Sequence, residues 1–211
     1  MIKTILFDVD GTLIDTEYVS VQSLKETLKE ERNLTLSDKE LEFSLGIPGA
    51  RALERFTDSP EEIEQLLASW MKRMREYTHH ARLFNGILEL LQELKQLGYR
   101  LGVVTSKLRS DAVVEFAAFG LNTFFDVIIT ADDTPLHKPN PEPLLKALEE
   151  LNADNQASLY IGDSLYDMLC AESSGVDFLL ARWGAKEKPE FSRAAYQLET
   201  PADLLPYLKG R

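Results

Sequence analysis

Residues 1–15 read MIKTILFDVDGTLID, and the elements downstream are best understood as arranged around this stretch. Ile2, Ile5, Leu6 and Phe7 are apolar and mostly β-favouring, the pattern of a short buried strand. Asp8 and Asp10 arrive at its C-terminal end, and Gly11 follows, where the backbone can turn sharply. Two acids spaced i and i+2 beside a buried strand repel one another, and both lose hydration. A divalent cation offsets that cost, and Mg²⁺ suits an all-oxygen site that keeps waters for a phosphate. Asp-Gly is also a common turn signal, so the pair alone reads equally as a solvated acidic turn. The rest of the chain has to decide.

Composition narrows the classes. A chain of 211 residues fits one domain, or a core with a small insert. Hydrophobic content of 44% and charged content of 27% are ordinary for a soluble globular protein. The formal net charge of −12 weighs against a nucleic-acid partner or an anionic-membrane anchor, while leaving room for a local basic phosphate pocket. No apolar run approaches the ~20 residues that cross a bilayer. The chain opens directly on the strand without a signal-peptide pattern. Cys170 is the only cysteine, which excludes an intrachain disulfide and fits a reducing cytoplasm. It reads as a small buried helix residue rather than a nucleophile. The expectation is a cytoplasmic protein, monomer or dimer, with no membrane partner.

From Thr16 to Arg82 the pattern is helical. Val21, Leu24 and Leu28 fall at helical spacing. Ser37-Asp38-Lys39-Glu40 is a capping-box sequence. Ser59-Pro60-Glu61-Glu62 combines an N-cap, a proline at the first helical position and an acid at the third. Ile63, Leu66, Leu67, Trp70, Met71 and Met74 make an apolar stripe that reads as core packing. Residues 16–82 therefore read as an inserted helical cap domain. The loop carrying Gly46, Pro48, Gly49 and Arg51 reads either as a specificity loop facing the acidic site or as an ordinary inter-helix turn. His79 and His80 read as solvated.

Residues 83–211, together with 1–15, read as the core domain. Asn85 is the expected cap of a helix with Ile87, Leu90, Leu91, Leu94 and Leu97 inward. Strands are expected at Arg100–Thr105, Phe125–Thr130, Leu159–Ile161 and Phe178–Leu180. Between them lie helices with Val113, Phe116 and Ala117 inward, and then Leu144, Leu145, Leu148 and Leu151 after an Asn140-Pro141 start. Strands alternating with helices of about ten residues predict an α/β fold, a Rossmann-like parallel sheet with helices on both faces. Ligands in such sheets bind beyond the carboxyl ends of the strands. Asp8 and Asp10, Thr105 and Ser106, and Asp163 all lie at such ends, and Lys138 lies in the loop after the third strand.

Each residue has a plain structural reading: Thr105-Ser106 an N-cap, Lys138 a solvated lysine, Asp163 a helix cap, Asp167 a surface acid. Their shared order and location favour phosphoryl chemistry instead. Asp8 can attack phosphorus. Asp10 can protonate the leaving oxygen and then activate water, and its carbonyl can bind a metal. Thr105 and the Ser106 amide can hold phosphate oxygens. Lys138 can neutralise them. Asp163 can supply a second metal carboxylate, and Asp167, one helical turn on, can hold a metal water or Lys138. Phosphoryl transfer needs mainly in-line positioning, a metal and positive charge.

DVDGT at Asp8–Thr12, VVTS at Val103–Ser106, HKPNPEP at His137–Pro143 and GDSLYD at Gly162–Asp167 together resemble the motifs of the haloacid dehalogenase superfamily of phosphohydrolases. The resemblance implies a Rossmann-like core with a helical cap inserted after the first motif. It implies Mg²⁺ on Asp8, Asp163 and the Asp10 carbonyl, Asp8 as nucleophile, Asp10 as acid/base, and Thr105 and Lys138 on a small phosphorylated metabolite. VVTSKLR, FFDVIITADD and the RWGA run at Arg182–Ala185 are most similar to the phosphoglycolate phosphatase and pyrophosphatase group. The related β-phosphoglucomutases usually carry a His shortly after the first motif and a basic residue before the cap-loop glycine. Here Thr16-Glu17-Tyr18-Val19 and Ser44-Leu45-Gly46 have neither. Asp10 weighs against dehalogenation. A non-catalytic phospho-acceptor domain would need neither the cap nor the paired acid.

Overall fold

The computed structural model describes residues 1–210. The chain separates into two compact units, one of Met1–Ile14 with the chain from Leu83 onward, the other of Asp15–Arg82. It begins with β1 (Thr4–Phe7) and β2 (Ile14–Asp15), then runs through α1 (Glu17–Arg32), α2 (Asp38–Leu41), α3 (Gly49–Leu53) and α4 (Pro60–Tyr77). After β3 (Arg82–Leu83) come α5 (Ile87–Gln96), β4 (Arg100–Val104), α6 (Arg109–Phe119), β5 (Val127–Ile129) and α7 (Glu142–Glu150). The chain continues with β6 (Ser158–Gly162), α8 (Leu165–Ser174), β7 (Asp177–Ala181), β8 (Tyr196–Leu198) and α9 (Leu204–Lys209).

Six of the strands form one sheet in the order β5-β4-β1-β6-β7-β8. Every pairing in it is parallel. β1 is central, with Phe7 opposite Val103 on one side and Ile161 on the other. All four of its residues are buried, as expected for a strand covered on both faces. Side chains alternate between the faces. Leu6 joins Val104, Ile129, Tyr160 and Leu180 in a core shared with Leu144 and Leu148 of α7 and Met168 of α8. Phe7 meets Phe125, and Phe125 meets Phe116 of α6. This is the expected parallel sheet with helices on both faces. Strand order reverses at β1, because β4 and β6 flank it, and that reversal makes the crevice used in such folds.

Several local expectations shift. β8 is a short edge strand with two of three residues exposed, too weak a pattern to read in advance. Val113 and Ala117 face solvent, while Ala112, Glu115 and Phe116 are buried. The helix is apolar almost all round, so periodicity could not choose its face. Leu97 and Leu145 are also exposed. The caps of α5 and α7 are Gly86 and Pro141, each one residue beyond the expected asparagine.

The helical unit has its own core of Val21, Leu24, Leu28, Leu41, Ala52, Leu53, Leu66 and Trp70. The Trp70 indole donates to Ser23 Oγ at 2.9 Å, so the stripe on α4 is packing, as expected. The Ser37 box forms, with its N–H donating to Glu40 Oε2 at 2.8 Å. Cys170 is buried on α8.

Gly102 in β4 leaves no room for a side chain between its neighbours. A Cβ there would lie 2.5 Å from Leu6 Cδ2 and 2.7 Å from Val127 Cγ1. Gly102→Ala should therefore cost about 1–3 kcal/mol by overpacking, read as a lower urea midpoint with unchanged slope. An unchanged midpoint would show that those side chains move aside freely.

Candidate active site

The loop after β1 is folded onto itself. Leu13 and Ile14 N–H both donate to the Val9 carbonyl at 2.9 Å, and Gly11 N–H donates to that of Ile14 at 2.8 Å. Gly11 has φ of +78°, and a Cβ on it would sit 2.3 Å from Asp163 Oδ2. A side chain at this position is excluded both by conformation and by the neighbouring carboxylate. The RWGA run backs the same loop. Trp183 Nε1 donates to the Thr12 carbonyl at 2.9 Å, and a Cβ on Gly184 would lie 1.8 Å from the Gly11 oxygen.

Asp8 continues the β1 ladder, its N–H donating to the Ile161 carbonyl at 2.9 Å. Its carboxylate accepts from Lys138 Nζ at 2.7 Å. Lys138 also donates to Asp167 Oδ1 at 2.6 Å, and all three residues are buried. Tyr160 lies under this pair. Its hydroxyl is 2.9 Å from Asp167 Oδ1, 3.0 Å from the Val104 carbonyl and 3.2 Å from Lys138 Nζ. Asp167 is held by a second hand. It is the third residue of α8, and its Oδ2 accepts from Ser164 N–H at 3.1 Å and from the Ser164 hydroxyl. This capping box makes Ser164 the helix cap, rather than Asp163.

Asp10 lies in a different pairing. Its Oδ1 is 2.9 Å from Lys107 Nζ, and Lys107 also contacts Glu115 Oε1 at 3.1 Å. Thr105 is buried at the end of β4, and its Oγ1 accepts from Lys107 N–H at 3.2 Å, which leaves the O–H proton for an acceptor. Ser106 is exposed in the loop, and α6 starts only at Arg109, so the Ser106 amide is not at the helix terminus. Gly46 and Arg51 belong to the helical unit. Gly46 has a left-handed backbone, and Arg51 sits on α3 in an exposed ion pair with Glu54.

The charges at the strand ends do not balance. Asp8, Asp163 and Asp167 each bring a carboxylate oxygen within 4.8 Å of the other two. Burial pushes Asp8 up to about 7 against the pull of Lys138, with the Asp167 and Asp10 charges adding to the rise. Burial and then the charges of Asp167 and Asp8 hold Asp163 well above the usual carboxylate range. Its Oδ1 accepts a long bond from the Thr12 hydroxyl, at 3.4 Å, and a backbone N–H also favours its charged form without outweighing burial. Burial disfavours the charge on Lys138, but Asp167 and Asp8 outweigh it and keep the ammonium above the ordinary lysine range. Three hard oxygen donors with one ammonium between them fit a divalent cation of the Mg²⁺ type.

The family model described as haloacid dehalogenase-like hydrolase matches residues 5–181. The chain belongs to that family. The hydrolase is 34% identical to the pyrophosphatase PpaX of Bacillus cereus (strain Q1), over 98% of this chain and 96% of the relative. It is 35% identical to PpaX of Halalkalibacterium halodurans, over 83% of this chain and 81% of that one. Among solved structures it matches an inferred phosphoglycolate phosphatase from Lactobacillus plantarum with TM-score 0.91 at 30% identity, covering 98% and 99% of the two chains. It also matches CbbY of Rhodobacter sphaeroides, solved with phosphate, with TM-score 0.80 at 27% identity over 97% and 96%. Among the described residues no helix is long and apolar enough to cross a membrane.

Three residues joined to these acids and lysines by hydrogen bonds or ion pairs are not among the candidates the sequence offers. Tyr160 sits in a wholly buried strand, where a phenol must find partners. Lys107 follows two hydroxyl residues at a strand tip. Glu115 stands between apolar neighbours on the buried face of α6. A polar residue where burial is expected was the available signal in the first and third cases.

Because the folded-state pKa values of Asp8 and Asp163 are raised, the native state holds protons that the unfolded chain has already released. Ionising these carboxylates thus destabilises the metal-free protein increasingly as pH rises above the ordinary carboxylate range, up to about 7 for Asp8 and through the raised range of Asp163. Asp163→Asn removes one of them. Its melting temperature in EDTA should exceed that of the wild type at about pH 8, with the gap shrinking towards pH 4. A lower melting temperature at pH 8 would mean that neighbours stabilise the ionised Asp163.

Proposed function

We propose that the protein is a Mg²⁺-dependent phosphatase that cleaves a small phosphate ester or pyrophosphate through an aspartyl phosphate on Asp8. The observation that carries this reading is the Asp8 carboxylate at the tip of the central strand, 2.7 Å from Lys138 and within the three-carboxylate cluster. Mg²⁺ would be held by Asp8, Asp163 and the Asp10 carbonyl, with Asp167 alongside, and when bound would supply charge neutralisation for the phosphoryl oxygens.

The chain's own groups account for the rest. An Asp8 oxygen forms the bond to phosphorus as the bond to the leaving oxygen breaks, and Asp10 gives that oxygen a proton. Asp10 then takes a proton from water. The water oxygen bonds to phosphorus, the Asp8–phosphorus bond breaks, and inorganic phosphate leaves. Lys138 holds the nucleophile in place and offsets phosphoryl charge. The Thr105 hydroxyl and the Ser106 amide are the proposed phosphate donors, and the Gly46–Arg51 segment the proposed substrate selector. The names of the PpaX relatives and of the Lactobacillus plantarum protein put pyrophosphate and phosphoglycolate first among candidate substrates.

Purified protein should release phosphate from one of these compounds with Mg²⁺, and EDTA should abolish release. Asp8→Asn should lose at least about 10³-fold in kcat, because the covalent route is gone. Full activity in EDTA would remove the metal from the proposal, and an active Asp8→Asn would remove the nucleophile.

A further inference from the structure

The acids of the site are divided between two lysines. Lys138 serves Asp8 and Asp167, and Lys107 serves Asp10. Only the first lysine takes a chemical role from its motif; Lys107 enters the sequence reading merely as part of the VVTSKLR run. The second sits in a setting that a surface ion pair does not need. The Lys107 side chain is 10% exposed, and its other partner, Glu115, is 9% exposed. Glu115 Oε2 is buried without a hydrogen-bond partner. A buried carboxylate with one oxygen unsatisfied costs stability, and such a group calls for an explanation. On the packed face of α6, beside Phe116, it offers the ammonium of Lys107 a fixed anchor.

Asp10 is the acid this anchor reaches. Its backbone is pinned by the bridge to Ile14, and its side chain, 39% exposed, lies 2.9 Å from Lys107 Nζ. Lysine by itself is a flexible four-carbon stem. Held at one end by its amide on Thr105 and at the other by Glu115, Lys107 becomes a rigid arm. The order Glu115, Lys107, Asp10 repeats the logic in which an acid/base group is oriented by a partner that is itself oriented.

We propose that Lys107, braced by Glu115, is the positioning residue that sets the Asp10 carboxylate for proton transfer to the leaving group. This rests on the assignment of Asp10 as acid/base made above. Misplacing a proton donor by about 1 Å costs up to about 10²-fold, and the cost should fall on substrates that need the proton.

The test uses two aryl esters of nearly equal size, p-nitrophenyl phosphate and phenyl phosphate. The first leaving group departs with little help, whereas the second needs protonation. Lys107→Met should lower kcat/KM for phenyl phosphate about 10–100-fold and for p-nitrophenyl phosphate much less, with Lys107→Arg restoring most of the loss. Glu115→Gln should move selectivity in the same direction by a smaller factor, and it carries the test if Lys107→Met does not fold. Asp10→Asn is the control. It should show the same selectivity, and Lys107→Met added to it should change selectivity no further. Equal losses on both esters in the Lys107 and Glu115 variants, with Asp10→Asn still selective, would overturn the positioning role. An unselective Asp10→Asn would instead overturn the acid/base assignment beneath it.

Discussion

Lys138 lies between two buried carboxylates, Asp8 at 2.7 Å and Asp167 at 2.6 Å. A buried charge without a partner is prohibitively costly, so each member of this group depends on the others being in place. That dependence reaches through the core unit. Asp8 follows the central strand, Lys138 comes from the loop before α7, Asp167 from the first turn of α8, and Tyr160 from β6. The parallel order that puts β4 and β6 on either side of β1 is what brings these segments to one edge. Lys138 neutralises only part of the negative charge, and the excess lies at Asp163, within a group of acids that could hold a metal ion.

Groups that hold the fold also hold the site. Asp167 caps α8 through Ser164 with one carboxylate oxygen and receives Lys138 and Tyr160 on the other. The helix start therefore fixes the angle at which the acid meets the lysine. Trp183 and Gly184 serve no evident chemistry, yet they press the loop that carries Asp8 and Asp10 into a single shape. Gly11 allows the Asp163 carboxylate to come so close that no side chain would fit between. Pre-organisation of this kind holds the loop acids in one geometry before any ligand arrives.

Much of the fold was legible because parallel sheets advertise themselves. β1, β4 and β6 are buried on both faces and read as apolar runs. The caps at Ser37 and Ser59 read directly, since capping is a local hydrogen-bond matter. What misled was local pattern without contrast. α6 is apolar nearly all round, so Val113 looked as inward as Phe116. β8 lies at an edge and leaves Tyr196 and Gln197 exposed. Asp8, Asp10, Lys138, Asp163 and Asp167 stand out in the sequence by their positions at strand ends and by motif.

The sequence by itself determined the alternation of strands and helices, the helical insert after the first strand, and the identity of the acids and of Lys138, because each is written in periodicity or short-range motif. Only the tertiary structure decided which acid each lysine serves. Lys107 is 97 positions from Asp10 in the chain, yet lies 2.9 Å from it in space. Tyr160 reaches Val104 across the sheet at 3.0 Å. Contacts of this kind are set by strand order and by the packing of α6 and α8. No local pattern encodes them, because the energy that selects them exists only once burial has removed water from the charges.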